Sequence, residues 1–600
     1  WWIDYDVMSG SGLSGASDDT TIDFTPKVDE GHSKIIGLDD AIRSFVTAGD
    51  TIHVAYSDAR PNAALMALGR VFQGSDPQFT LVTAGLVSIQ HSLIELGLVR
   101  KLVASFAGEN FPVARPNPAL GRAISNGDVQ IEHWSLWSLI ARLTAGALGV
   151  SHYPVKSMRG SSMGDEAAAR GELIDLPAIN GGSDTSLVAA LRPDIVVLHG
   201  AVADRAGNVV LAAPYGEGHV GAMAAKRGVI ATVERIVSTA EIRKMNKLTR
   251  IPAHVVRAVC EVPYGAHPFG FNNPGVPGLE SYCEDLDFVL ETLQASKSPD
   301  AFRKHIERWV TGIDGPEEYR RNLGKSRLDS LVRGESSSNS SRVEFPASVR
   351  PATRLEQQVI VTSRVLRRAV ARSGHHAILA GVGLSNLAAW VGAKQLREEG
   401  VDIALMAEIG LFDYSPLPGE PFIFAGQNVP TNKLLTDVKS VLGTYVSGPG
   451  TSTIGLVGAG QIDKTGAINS TYSDDGRFIV GSGGANDVLS GAEEVIVTVG
   501  HDRTRLVESV PYITSPGAKV RSIVTELCVF DRSPETGQFE LTALQPSAGA
   551  TVEDGLREVR DRTEFEFSVA DHVEFESDPT DEELTTLRAF DPQKFYLRDR

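Results

Sequence analysis

The chain has 600 residues, 42% hydrophobic and 22% charged, which is enough for two or more domains with sizeable cores. A formal charge of -18 excludes nucleic acid as a general partner, while leaving room for a local basic pocket that holds a phosphorylated small molecule. No apolar run approaches the ~18 residues of a membrane span, and no basic stretch with an apolar h-region opens the chain, so no membrane partner and a cytoplasmic location are expected. Three scattered cysteines, Cys260, Cys283 and Cys528, are too few for a disulfide framework or a metal cluster; ordinary buried thiols and no metal site are expected.

Trp1 to Val7 precede Met8 and are set aside as an upstream remnant. Ser9 to about Glu30 is rich in Gly, Ser, Thr and Asp, and residues 1–34 are expected to form a flexible arm. Helical spacing over Leu38–Val46 leads through Ala48-Gly49-Asp50 into a strand at Thr51–Ala55, then a helix at Ala63–Phe72 and a strand at Phe79–Thr83. Strand-then-helix alternation of this kind predicts an α/β fold with mainly parallel sheets. The strand Leu102–Phe106 runs into Glu109 and Asn110, placing a carboxylate either at a site or in a turn or helix cap. Val129–Ser135 reads as a strand ending at His133, which is a pocket residue or a packed, hydrogen-bonded one. Pro193–His199 and Val229–Glu234 are further strands, the first leading to a tight turn at Asp204–Gly207. Ser298–Arg333 is helical and charged, and the polar stretch Gly334–Arg342 reads as a linker. The expected organisation is an arm at 1–34, domains at 35–333 and 351–600, and a linker at 334–350.

The second half echoes the first. Gly458–Ile468 repeats the turn chemistry of Gly200–Val209, Val495–Val499 repeats Val229–Val233, and Asn386-Leu387-Ala388-Ala389 repeats Asn62-Ala63-Ala64. Echoes kept in one order predict two similar α/β domains related by a pseudo-two-fold, with a ligand cleft between them. Within the second half, Val401–Ala407 is a short buried strand with Glu408 at its carboxyl end, the edge where ligands of open α/β sheets gather. Gly410 would let a backbone or ligand pass close by. Val480–Val488 is a glycine-rich turn between a strand and a helix; the amides of Gly481, Gly483, Gly484 and Ala485 either meet a ligand or serve tight packing. It is neither a P-loop nor a dinucleotide fingerprint.

With these residues in view, the span from about Ile35 to Ala570 resembles the family I coenzyme A transferases, of glutaconate and 3-oxoacid type, with the two subunits fused in one chain. The α-like motifs include Gly108-Glu109-Asn110, Leu191-Arg192-Pro193-Asp194 and Gly265-Ala266-His267-Pro268; the β-like motifs include Gly381-Val382-Gly383-Leu384, Ala407-Glu408-Ile409-Gly410 and the turn Gly481–Asp487. The resemblance implies that Glu408 attacks an acyl-CoA thioester and becomes a glutamyl-CoA thioester, and that Gly481, Gly483, Gly484 and Ala485 supply oxyanion or CoA contacts. Glu109, Asn110, His133, Gly383 and Gly410 are secondary candidates. It further implies acyl-CoA and a small carboxylate as substrates, no bound cofactor, and a homo-oligomer, dimer or higher. Hydrolysis of the thioester or carbon–carbon cleavage on the same scaffold, with Glu109 as base, is the alternative, and a non-catalytic CoA-binding protein is a third. Two departures stand out: Ile409 occupies a place where relatives commonly carry Ser or Asn, and Val54-Ala55-Tyr56-Ser57-Asp58 replaces a glycine and phenylalanine motif.

Overall fold

The computed structural model describes residues 28–56, 59–111, 113–178, 184–337 and 351–598, the side chains of 333–337 excepted. Each half is built on a sheet whose centre is parallel. In the first half, Thr51–Val54 pairs in parallel with Phe79–Leu86 on one side and with Ile195–Asp204 on the other; Val229–Val237 and then Val256–Glu261 continue the parallel order outward. In the second half, Ala377–Ala380 pairs in parallel with Ala404–Ala407 and Thr453–Gly458, followed by Glu494–Thr498 and Val520–Val524. The order of these five strands matches between the halves, as the sequence echoes predict.

The echoes also hold in detail. Asn62 and Asn386 each sit buried in the first turn of a crossover helix, Asn62–Phe72 and Leu384–Glu398, and each donates its side-chain amide to a distant carbonyl, Ala266 or Pro421. The turn after Ile195–Asp204 is closed by the Asp204 carboxylate, which accepts from the amides of Gly207 and Asn208; Asp463 does the same for Thr465 and Ala467. Beyond these shared parts the halves diverge. The strand expected at Pro193–His199 runs on to Asp204, because all ten of its residues are buried and it is paired along both edges. Its hairpin partner Val209–Val210 extends the main sheet, whereas Gln461–Asp463 and Ile468–Asn469 join a separate three-stranded sheet.

The halves share an apolar core. One cluster joins Val82, Trp134 and Trp137 of the first half to Leu379, Val441, Leu442 and Leu489 of the second. At its centre lies the helix Leu136–Leu148, buried on all faces from Leu136 to Gly146, which suits a helix enclosed between two domains.

Some boundaries depart from expectation. Residues 1–27 of the expected arm lie outside the described residues, but its end is fixed: Lys34 donates its amide to Arg205 and accepts from the amide of Val259. A helix, Lys325–Ser337, carries four residues into the expected linker, since its helical hydrogen bonding continues past Gly334; residues 338–350 lie outside the described residues. Cys260 and Cys528 are buried free thiols, as expected, whereas Cys283 is only half-buried; burial pushes the Cys260 thiol up to about 12. Among the described residues, no helix is long and apolar enough to cross a membrane.

Candidate functional site

The strand Ala404–Ala407 delivers Glu408 to the carboxyl edge of the second sheet, where it lines a cavity of about 330 Å³ between the halves. The cavity wall is largely apolar, with Val87, Phe106, Leu136, Leu379 and Val457 among its residues. Gly410 follows at φ +123°, and a Cβ there would stand 2.2 Å from the carbonyl oxygen of Thr436. Only glycine allows that turn, so Gly410 admits a backbone, and it does not itself line the cavity. The first half straps this turn down: Gly216 donates to the carbonyl of Ile409, Val438 donates to Gly216, and Tyr215 donates to Thr436. Ile409 thus serves through its main chain, with its side chain in the apolar core of the second half.

The glycine-rich turn approaches from the opposite wall and ends in the helix Ala485–Gly491; the segment before it is extended, with one bridge at Phe478 rather than a full strand. Its amides are not equivalent. Gly483 donates to the carbonyl of Ser105, and Ala485 donates to Ser482, so neither is free for a substrate oxyanion as expected from sequence. Gly481 is packed on the first half, since a Cβ there would stand 2.3 Å from the Ser105 carbonyl oxygen. Gly484 alone turns its amide on the Glu408 carboxylate. The contacts with Ser105 and Ser482 commit two of the turn's amides, those of Gly483 and Ala485.

Burial raises the Glu408 carboxyl to about 7; the nearby Asp487 charge adds to the rise and the Gly484 amide opposes it. Asp487 is itself buried and raised to about 6, and it ties the turn to the first half by accepting from Ser135 Oγ at 2.6 Å and the Trp137 amide at 2.9 Å. The Asp487 charge thus holds Glu408 further toward its neutral form.

The other sequence candidates fall at varied distances from the cavity. Asn110 lines it. Glu109 does not: it is fully buried, accepts from Asn117 Nδ2 at 2.7 Å, stands 3.8 Å from His91 Nε2, and is raised to about 7 by burial. His133 stacks on Phe478 and meets the Tyr472 hydroxyl at 2.8 Å, while burial and Arg170 lower it to about 4; it is the packed histidine, outside the cavity lining. Gly383 is the N-cap of Leu384–Glu398, and its neighbours Gly381 and Val382 line the cavity in its place.

Sequence analysis did not place Glu217, Arg60 or Tyr56 at the site, and all three line the cavity. Glu217 is buried, accepts from the Tyr56 amide at 2.8 Å, and is raised to about 8 by burial. Arg60 and Tyr56 stand beside it, the guanidinium donating to the Tyr56 hydroxyl at 2.7 Å. Glu217 did carry a signal, Gly216-Glu217-Gly218, a glycine-flanked glutamate like those already considered.

Two similar α/β halves thus close an apolar cavity on a glutamate. A family model described as coenzyme A transferase matches residues 36–261. The 3-oxoadipate CoA-transferase of Pseudomonas knackmussii is similar through both of its polypeptides: one is 31% identical over 306 residues, 49% of this chain and 100% of that one, and the other is 26% identical over 230 residues, 35% and 85%. An uncharacterized protein of Archaeoglobus fulgidus is 30% identical over 259 residues, and this chain spans 55% of its length. An acyl-CoA transferase from Escherichia coli O157:H7, solved as a thioester complex with CoA, shares the fold at TM-score 0.62 and 15% identity, over 94% of this chain and 97% of that one. The chain belongs to the coenzyme A transferase family.

Proposed function

We propose that the protein moves CoA from an acyl-CoA thioester to a carboxylate acceptor through a glutamyl-CoA thioester on Glu408. Residues 35–333 would serve as the α-like half and 351–600 as the β-like half, in a cytoplasmic homo-oligomer that needs no resident cofactor because CoA is its substrate. The observation that carries this reading is a carboxyl group at a strand end, in an apolar cavity between the halves, met by one amide from the glycine-rich turn.

The ionised Glu408 attacks the thioester carbonyl and expels the CoA thiolate, leaving a mixed anhydride. The thiolate then adds to the glutamyl carbonyl and releases the acyl group as a carboxylate. The acceptor carboxylate runs the two steps in reverse, so Glu408 is regenerated and a new acyl-CoA leaves. Apolar walls deprive the carboxylate of the water that makes it a poor nucleophile, and covalent capture divides one hard exchange into easier ones. The Gly484 amide supports the glutamyl oxygen: it holds the carboxylate before attack and carries the charge that develops when thiolate adds to the glutamyl carbonyl. A neighbouring groove of about 470 Å³ shares Val113, Gly458 and Ala459 with the cavity and is lined by Arg354 and Arg505, which suits the phosphorylated end of CoA.

Intact-mass and peptide mass spectrometry after incubation with acyl-CoA alone tests the reading. CoA attached at Glu408, reducible by borohydride and discharged by added carboxylate, is the expected result. Release of free acid with no adduct, in the absence of an acceptor, would favour thioester hydrolysis.

A further inference from the structure

The turn that opens at Glu408 is gripped by a strap of the first half, residues 215–217. Three main-chain hydrogen bonds cross between the halves here: Tyr215 donates to the Thr436 carbonyl at 2.8 Å, Gly216 to the Ile409 carbonyl at 3.2 Å, and Val438 to the Gly216 carbonyl at 3.1 Å. Thr436 donates in turn to the Gly410 carbonyl at 2.7 Å, so the strap holds the Glu408 turn directly and through its neighbour. His219, 3.6 Å from Asp437, adds a side-chain contact to the same seam. The place of the Glu408 carboxyl in the cavity therefore depends on where the strap is fixed.

Glu217 fixes it. Its amide donates to the Tyr56 carbonyl at 2.9 Å and its Oε1 accepts from the Tyr56 amide at 2.8 Å, a two-point clasp just beyond the strand Thr51–Val54. The residue is 1% exposed, so water cannot readily replace the side-chain bond if it is lost. The other carboxyl oxygen, Oε2, is buried with no hydrogen-bond partner, which suits a neutral acid better than a carboxylate. The surrounding groups agree. His53 donates from Nδ1 to the Val82 carbonyl, turns its unprotonated Nε2 to within 3.7 Å of Oε1, and is lowered to about 4 by burial. Arg60 donates to the Tyr56 hydroxyl, and among the described residues no carboxylate lies within 4.0 Å of its guanidinium. The remaining titratable groups of the seam, Glu408 and the His219–Asp437 pair, lie along the strap.

We infer that Glu217 is a positioning residue for Glu408: it clasps the strap to Tyr56, so holding the Glu408 turn against the first half, and it lets the strap shift when it ionises. This rests on the reading of Glu408 as the nucleophile. Burial holds the Glu217 carboxyl at about 8, so the clasp is complete at neutral pH. Once ionised, the carboxylate needs donors that its surroundings do not supply. Arg60, whose two hydrogen bonds to Tyr56 and Gly85 leave part of its five-donor fork unused, is the cation able to turn to it. The carboxylate and the strap then move together, and a displacement of the reacting oxygen slows the attack. Activity should therefore fall as pH rises through about 8, on the alkaline side of the Glu408 titration.

Two measurements decide it. Hydrogen exchange, read by mass spectrometry on the peptide that contains Val438, reports the clasp without any chemistry. Glu217→Ala should speed exchange of that peptide at least tenfold at pH 7, and Glu217→Gln, whose amide oxygen still accepts from Tyr56, should restore most of the protection. Steady-state kinetics should follow the same order, with kcat at least tenfold lower in Glu217→Ala, largely regained in Glu217→Gln, and KM for acyl-CoA changed less than threefold. In the wild type kcat should fall above pH 8, and that fall should vanish in Glu217→Gln, which cannot ionise. Should Glu217→Ala fail to fold, the alkaline comparison between wild type and Glu217→Gln decides alone. Equal exchange in wild type and Glu217→Ala, no alkaline fall in the wild type, or a fall that persists in Glu217→Gln would each overturn the inference. Absence of any adduct on Glu408 would sink the transfer reading instead, while the exchange comparison still decides the clasp.

Discussion

Gly484→Ala separates placement of the nucleophile from folding. Gly484 has φ -83° and ψ 1°, a conformation open to any L residue, and it is the N-cap of Ala485–Gly491, so the backbone accepts alanine without strain. The added Cβ would stand 2.1 Å from Glu408 Oε2 and 3.3 Å from Leu442 Cδ1. Ordinary contact begins at 3.4 Å, so the carboxylate oxygen must retreat by about 1.3 Å while the leucine end gives by a tenth. Misplacing a reacting atom by roughly 1 Å costs about 100-fold, or close to 3 kcal/mol of barrier. The amide that opposes the rise in the Glu408 pKa would be pulled away as well, so the acid limb of activity should move to higher pH. Steady-state kcat/KM across pH, adduct formation by mass spectrometry and Tm are the readouts, with a large kinetic loss and a small change in Tm expected. Wild-type kinetics in a stable Gly484→Ala protein would refute the placement of the nucleophile beneath this turn.

Glu408→Ala should abolish adduct and turnover, and Glu408→Asp should lose about 100-fold because the shorter arm draws the oxygen back; an active Glu408→Ala enzyme would move the chemistry elsewhere. The wild-type kcat/KM should rise with pH through about 7, where Glu408 ionises, and Asp487→Asn should shift that limb downward by removing a charge that favours the neutral acid. Burial holds Glu408 at about 7 and Glu217 at about 8, above the ordinary carboxyl value, so each contributes stability that is complete below the unfolded pKa and lost as pH rises through the folded one. Between pH 5 and pH 9 the wild type should therefore lose stability relative to Glu217→Gln, measured by denaturant unfolding at each pH. A protease site placed between residues 338 and 350 and cut should leave the halves co-eluting, since Asp487, Gly483 and the apolar cluster around Trp137 join them without the tether.

The fold was legible because its signals are periodic and local. Buried parallel strands are short apolar runs, crossover helices carry their own spacing, and the Asp204 and Asp463 turns announce themselves through side chains that hydrogen-bond the next few amides. What local chemistry could not report was pairing. Nothing within Gly200–Asp204 distinguishes a loop from a strand that continues; the parallel neighbour Val229–Val237 decides it. The helix that passes Gly334 shows the converse, composition suggesting a break where one helical turn continues.

The site was legible where function and local structure coincide, and hidden where they do not. Glu408 stands at a strand end before a glycine that only a tight turn needs, and both facts are written in four adjacent residues. The donors of the glycine-rich turn could not be assigned that way, because whether an amide is free depends on a partner hundreds of residues distant: Ser105 takes Gly483, and only then is Gly484 left as the amide facing the carboxylate. Arg60 and Glu217 are harder still. Each looks like a surface residue in its own segment, and each becomes unusual only because the fold buries it, leaving Arg60, among the described residues, with no carboxylate within 4.0 Å and Glu217 Oε2 with no hydrogen-bond donor. Sequence reports Glu408 because the turn it opens constrains its neighbours along the chain, Gly410 above all. Groups that the fold isolates together become visible only when burial and hydrogen-bond partners can be counted in three dimensions.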